Sequence, residues 1–196
     1  LSAHFMPYSV PDEKKKNEQQ YAILMKPGHH LGLSYGYDRR FVMSHQFVSS
    51  GKTNLVAAIS SGKFDENEWH HVVGTVNRSE GTVKIFLDGQ ESGSAEFPAN
   101  SRGYVSSKQW RIGVASPMGK SHQWHADGAV DQVRIYNRAL ETEEINELYV
   151  VEQPAPFEKE MLVYYPFNAG DIKNVKESLP TKESSGGFSL AEPQKN

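Results

Sequence analysis

Short runs rich in Val, Ile, Tyr, Phe and Trp recur along this chain, broken by Gly, Pro, Asn and Asp. Their spacing is the roughly 8–12-residue rhythm of an all-β sandwich or barrel, and it excludes helical bundles and βαβ folds. Strands are expected at Leu1–Tyr8, Tyr21–Lys26, Leu31–Tyr35, Arg40–Phe47, Leu55–Ile59, Trp69–Val76, Thr82–Leu87, Gln109–Val114 and Ala129–Tyr136. The third and fourth form a hairpin around Tyr37-Asp38-Arg39. Asp88-Gly89 marks another, because both central residues of a type I′ turn need positive φ and this pair tolerates it. In Thr82–Leu87, positions 83, 85 and 87 share one face and are all aliphatic. One helix is expected, at Glu143–Tyr149: Ile145, Leu148 and Tyr149 fall at i, i+3 and i+4, and acidic residues crowd the end where the helix dipole favours them.

At 196 residues the chain has room for one domain, or one domain with an appendage. It has no Cys, which removes disulfide scaffolds, thiolate zinc sites and thiol nucleophiles. A formal charge of −3, with no basic cluster larger than Lys14-Lys15-Lys16 between acidic neighbours, leaves no nucleic-acid footprint. No apolar run is long enough for a membrane-spanning helix. The start, Leu-Ser-Ala, leads us to expect a processed or excised piece.

Several strings occur in order: Glu68-Trp69-His70-His71-Val72-Val73-Gly74-Thr75-Val76, Val83-Lys84-Ile85-Phe86-Leu87-Asp88-Gly89, Trp110-Arg111-Ile112-Gly113, and Asp127–Leu140 followed by Glu143-Glu144-Ile145. Together they resemble the laminin-G-like group of the concanavalin A-like lectin/glucanase superfamily. The specific match covers residues 69–149, and residues 1–68 fit more loosely. The resemblance implies an all-β fold: a two-sheet antiparallel jelly-roll sandwich with one short helix. It also implies a non-catalytic extracellular or cell-surface recognition module, often calcium-associated and often directed at glycans. Function itself sits in loops grafted onto such a fold.

The ends depart from the family pattern. Members open with a strand of the type Leu-Val-x-Tyr-x-Pro-Phe-Asn, which is missing at residue 1. Its likeness, Leu162-Val163-Tyr164-Tyr165-Pro166-Phe167-Asn168, stands near the C-terminus instead. The chain therefore divides into a sandwich at 1–150, a Pro-containing linker at 151–160, and a segment at 161–196 resembling the opening of the same fold. That segment is the start of a next repeat, a permuted strand, or a strand donated to a neighbouring subunit. The last option gives a second function class: a structural subunit self-associating through residues 161–190.

Gly32-Leu33-Ser34-Tyr35-Gly36 matches the G-x-S-x-G string of a hydrolase elbow, but that elbow needs a helix after it and here a strand follows. A glucanase would carry carboxylates at alternate positions of one strand, but no E-x-D-x-E or E-x-D-x-x-E string occurs, and the nearest cluster, Asp65-Glu66-Asn67-Glu68, lies in a loop. His70 and His71 point to opposite faces and cannot share a zinc ion, whereas His122 and His125 lack an assigned third ligand. Sugars stack C–H faces on aromatic rings while polar groups take their hydroxyls. The expected contacts for a glycan or matrix ligand are thus His29, His30, Tyr35, Tyr37, Arg39, His122, Trp124 and His125, in the loops 27–30, 35–40 and 119–127. Trp124 has an alternative role as a loop anchor, and Trp69 and Trp110 are expected in the core. Asp131 should share a face with Val133 and Ile135, where a carboxylate needs amide donors, an Arg or a cation. Asp127 and Asp131 are the candidate calcium ligands.

Overall fold

The computed structural model describes residues 1–14, 19–26, 31–103, 107–115 and 124–150, and the backbone of 161–165 and 189–190. The nine expected strands are present, with Gln109–Val114 shortened to Arg111–Ile112, and Gln90–Glu96 and Arg102–Gly103 are two more; in chain order they are β1 (Ser2–Pro7), β2 (Gln20–Lys26), β3 (Leu31–Gly36), β4 (Phe41–Ser49), β5 (Lys52–Ile59), β6 (His70–Asn77), β7 (Thr82–Leu87), β8 (Gln90–Glu96), β9 (Arg102–Gly103), β10 (Arg111–Ile112) and β11 (Gly128–Tyr136). One helix, α1 (Thr142–Val150), follows, and two further strands are β12 (Met161–Tyr165) and β13 (Ser189–Leu190). They form two sheets of six and seven strands. The first runs β12-β11-β1-β6-β7-β8; the second runs β13-β10-β2-β3-β4-β5, with β9 also paired to β4.

Alternation along each strand fills the space between the sheets. Ala3 and Phe5 of β1, Val72 of β6, and Val83, Ile85 and Leu87 of β7 meet Leu33, Tyr35, Phe41, Met43 and Ala58 of the other sheet. Each fully buried aliphatic or aromatic side chain there contributes roughly 1.5–3 kcal/mol. Unlike a sheet with one wet face, the first sheet is also covered on its outside. Val73, Phe86 and Tyr136 pack under Leu140, Ile145 and Leu148 of the helical segment. The helix start is fixed by Glu144, whose carboxylate takes both Arg138 guanidinium nitrogens at 2.6 Å and the Glu141 amide at 2.7 Å. Those hydrogen bonds, Arg138's first, hold the Glu144 carboxyl below its usual range.

The β7–β8 hairpin turns on Asp88 (φ 51°) and Gly89 (φ 84°), both left-handed as the Asp-Gly pair requires. Gly89 is needed for a second reason: a Cβ there would lie 2.7 Å from Asn146 Oδ1 of α1, so the turn is tucked beneath the helix. Asp88 accepts the His71 amide at 2.9 Å and contacts His70 Nδ1 at 2.9 Å, tying the turn to β6. The two histidines face opposite ways, as alternation demands. His70 packs on Phe41 and Phe64 of the interior, and His71 stacks on His4 and Tyr149 outside.

β11 departs from simple alternation. Ser2 pairs with Arg134, but His4 pairs with Asp131, so one extra residue is inserted in β11. Gln132 at φ 47° is the bulge. A one-residue slip exchanges faces. Asp131 therefore does not lie beside Val133 and Ile135, which are in the core, but opposite His4 on the outer face. Its Oδ1 accepts the Gln132 amide at 2.6 Å. Arg134, next to the bulge, is the largest fully buried side chain and donates to the Gln132 carbonyl and to its Oε1.

Candidate functional site

One end of the sandwich is assembled from four connections. The β1 strand runs out at Tyr8-Ser9, the β3–β4 turn carries Tyr37–Arg40, the 60–69 segment leads into β6, and Asp127 precedes β11. Backbone bonds stitch them together: Tyr8 N to Asp127 O at 2.9 Å, Asn67 N to Pro7 O at 2.7 Å, Phe64 N to Arg39 O at 2.9 Å and Tyr37 N to Gln19 O at 3.0 Å. Ser9 Oγ donates to Asp127 Oδ2 at 2.6 Å and lies 2.6 Å from the Tyr21 hydroxyl, joining the two sheets across the rim. Arg39, at φ 63°, bridges Asp65 (2.7 Å) and Glu66 (3.3 Å).

Three large aromatic side chains stand exposed on this end: Tyr8 at 51%, Tyr37 at 43% and Trp69 at 47%. Trp69 is a correction to the sequence reading. It precedes the first paired residue of β6 and, by alternation with the inward-facing His70, it points outward at the sheet end, so it is not in the core. Single exposed apolar residues are ordinary. Three rings on one bonded rim, beside a held Arg–carboxylate cluster, make a mixed surface of the kind that takes small polar ligands.

The expected contact residues divide. Tyr37 is exposed on the rim, and Arg39 is half-buried there. Tyr35 is not exposed: it is fully buried among Phe5 and Phe41, and its hydroxyl donates to the Phe64 carbonyl at 2.7 Å. Burial, helped by the nearby Glu66 charge, pushes that phenol up to about 12, so it holds its proton and acts as a fixed donor beneath the loop. Trp124 is half-buried and packs with Ala22, Met25 and Ala115 on the outer side of the second sheet, while its carbonyl accepts the Ala22 amide at 3.2 Å. That packing is of the kind a loop anchor makes. His125 is exposed, two residues before Asp127. His29, His30 and His122 lie outside the described residues. Trp110 packs partly against the core, with Lys26 Nζ 5.5 Å from its ring centroid.

Calcium takes six or more oxygens converging on one point. Asp127 is at the rim and bonded to Ser9, whereas Asp131 faces outward on the first sheet and is bonded to its neighbour's amide. They do not fit one ion together, and among the described residues no group of three His, Asp or Glu is gathered for a metal. Ser34 lies within β3 and donates to Gln20 Oε1 at 3.1 Å, as an ordinary strand hydroxyl. His70 and Asp88 form a close pair, but His70 is packed beneath Phe41 and Phe64, where the pair serves the hairpin.

A laminin-G-type profile of the concanavalin A-like lectin/glucanases superfamily matches residues 9–146. Among solved structures, a candidate carbohydrate-binding protein from Bacteroides ovatus superposes with a TM-score of 0.60 at 13% identity, over 86% of this chain and 44% of that one. A sialidase from Trypanosoma rangeli gives 0.49 at 20% identity, over 76% and 22%. A pentraxin from Limulus polyphemus gives 0.43 at 14% identity, over 76% and 75%. At such identities the Bacteroides likeness is one of fold. This chain spans less than half of the first of these proteins and less than a quarter of the second. No curated protein matches the chain by sequence.

Proposed function

The chain belongs to the concanavalin A-like lectin/glucanases superfamily, and we propose that it is a carbohydrate-binding module that engages glycans through the Tyr8–Tyr37–Trp69 rim without transforming them. The observation that carries this reading is the exposure of those three rings on one end of the sandwich, beside Arg39 held by Asp65 and Glu66. A pyranose ring offers apolar C–H faces to the aromatics, and its hydroxyls take hydrogen bonds from the guanidinium and give them to the carboxylates. Because Arg39 is already positioned by two carboxylates, little side-chain entropy is lost when it binds. The fold of a candidate carbohydrate-binding protein supports the same reading. Cell-surface or extracellular placement, with glycan-rich matrix as the ligand source, belongs to the proposal.

The test is a glycan array followed by calorimetric titration of the best binder. Trp69→Ala is expected to weaken binding about tenfold or more, the scale of one stacked contact of roughly 1.5 kcal/mol. Its unfolding midpoint should stay close to wild type, since the side chain is exposed. An unchanged affinity in Trp69→Ala would move the site off this rim. Absence of binding to any plant, microbial or animal glycan would overturn the function itself.

A further inference from the structure

The two long seams of the sandwich are closed in different ways. On one side the edge strands β5 and β8 lie against each other: Ser61 N donates to Ser92 O at 2.7 Å, and a Cβ at Gly93 would collide with the Ile59 carbonyl. On the other side both edges are supplied by the C-terminal segment. β12 pairs antiparallel with β11, and β13 pairs parallel with β10. The β11 edge matters most. Val133 and Ile135 on it belong to the main core, and β12 covers it in the register Val133–Tyr165, Arg134–Tyr164, Ile135–Val163 and Tyr136–Met161. Without β12 this edge would offer a row of unpaired amides and carbonyls beside the core margin.

We propose that the β11 edge is an exchangeable docking surface for residues 161–165, filled by the chain's own strand when dilute and by a second copy's strand when concentrated. Ladder hydrogen bonds are the same whichever chain supplies them, so the two arrangements differ mainly in the entropy of the connection. That connection, residues 151–160, is ten residues long and contains Pro154 and Pro156. Ten residues reach at most roughly 33–36 Å when fully extended. Reciprocal exchange closes a two-fold dimer in which both β11 edges are paired. A tethered strand has an effective concentration on the order of 1 mM, which sets where exchange begins to compete. This inference does not rest on the glycan reading.

The chain has no Cys, so single thiols report cleanly. Ile135→Cys and Val163→Cys sit opposite each other in the antiparallel register, within the Cα separation a disulfide needs. Full-length Ile135→Cys and Val163→Cys chains are denatured, mixed, refolded together and oxidised. At about 1 mM, near the tethered concentration, a disulfide-linked heterodimer is expected at least tenfold above its level at about 1 μM. It should also exceed a control pairing Ile135→Cys with Glu80→Cys, on an exposed turn. As a second variant, deleting residues 152–157 shortens the tether and should convert the dilute chain from monomer to dimer by light scattering. No heterodimer above the control, together with a shortened chain that stays monomeric, overturns the proposal. Failure of the Ile135→Cys/Val163→Cys double variant to form any disulfide overturns the register and the proposal with it.

Discussion

Lowering the pH from 6.5 to about 5 is expected to cost this protein about 2 kcal/mol of folding free energy through one side chain, His71. The imidazole is buried on the outer face of the first sheet. Its Nε2 lies 2.9 Å from Ser2 Oγ, and its ring stacks on His4 (4.8 Å) and Tyr149 (6.1 Å). Burial, reinforced by repulsion from the adjacent His4 and the Arg134 guanidinium, lowers its pKa from 6.5 to about 3; only Asp88 pulls the other way. The unfolded chain therefore takes up a proton near pH 6.5 that the folded chain refuses until about pH 3. Stability from this group is complete above 6.5 and falls by about 1.4 kcal/mol per pH unit across that window, reaching a loss of about 4 kcal/mol near its lower end. Asp88 adds to the loss at still lower pH. Burial alone would raise its pKa, but the bonds from His70 and the His71 amide outweigh that and hold it below the usual carboxylate value, so its contribution disappears as it protonates. Urea titrations at a series of pH values check this. Wild type should show the slope between pH 6.5 and 5, and His71→Phe, whatever its starting stability, should show much less of it. Equal slopes in the two proteins would remove His71 as the cause.

Local pattern carried most of the fold. The Asp88-Gly89 turn, the alternation of Thr82–Leu87 and the Ile145/Leu148 stripe were each legible because a strand period, a left-handed turn or a helix face is written within ten residues. What escaped was non-local. The Gln132 bulge is a mismatch between two strands about 130 residues apart, and nothing in Ala129–Tyr136 announces it, so Asp131 was placed on the wrong face. Tyr35 and Trp69 were exchanged in role for a related reason. Burial at a strand end depends on which loop covers it: the Phe64 segment covers Tyr35, and nothing described covers Trp69. Tyr8, sitting where β1 runs out, gave no signal of its own and joined the rim only once Asp127 and Asn67 were seen to flank it. The family profile ends at residue 146, before β12, so the seam it closes could be found only from strand pairing.

Phe41→Ala is expected to cost about 3–5 kcal/mol, the usual range for emptying a buried phenylalanine site, and to weaken glycan binding as well. Phe41 is fully buried at the first position of β4, with ring centroids of Tyr35, Phe64, His70 and Phe5 between 5.1 and 6.3 Å away. The backbone around it is also committed: its amide donates to Ser60 Oγ and its carbonyl accepts the Ser60 amide. The cavity would therefore be walled by a fixed frame that cannot collapse onto it, which places the cost toward the upper end. Phe64 loses one side of its packing, and Phe64 directly precedes Asp65 and Glu66, the two carboxylates that position Arg39. Binding should thus fall even at temperatures where the variant remains folded, while Phe41→Leu, which refills most of the space, should recover much of both properties. Trp69→Ala makes the opposite comparison, losing binding at nearly constant stability. Thermal melts and titrations on the three variants separate the cases. A folded Phe41→Ala protein with wild-type affinity would show that the rim is held by its surface hydrogen bonds alone, without help from the core beneath it.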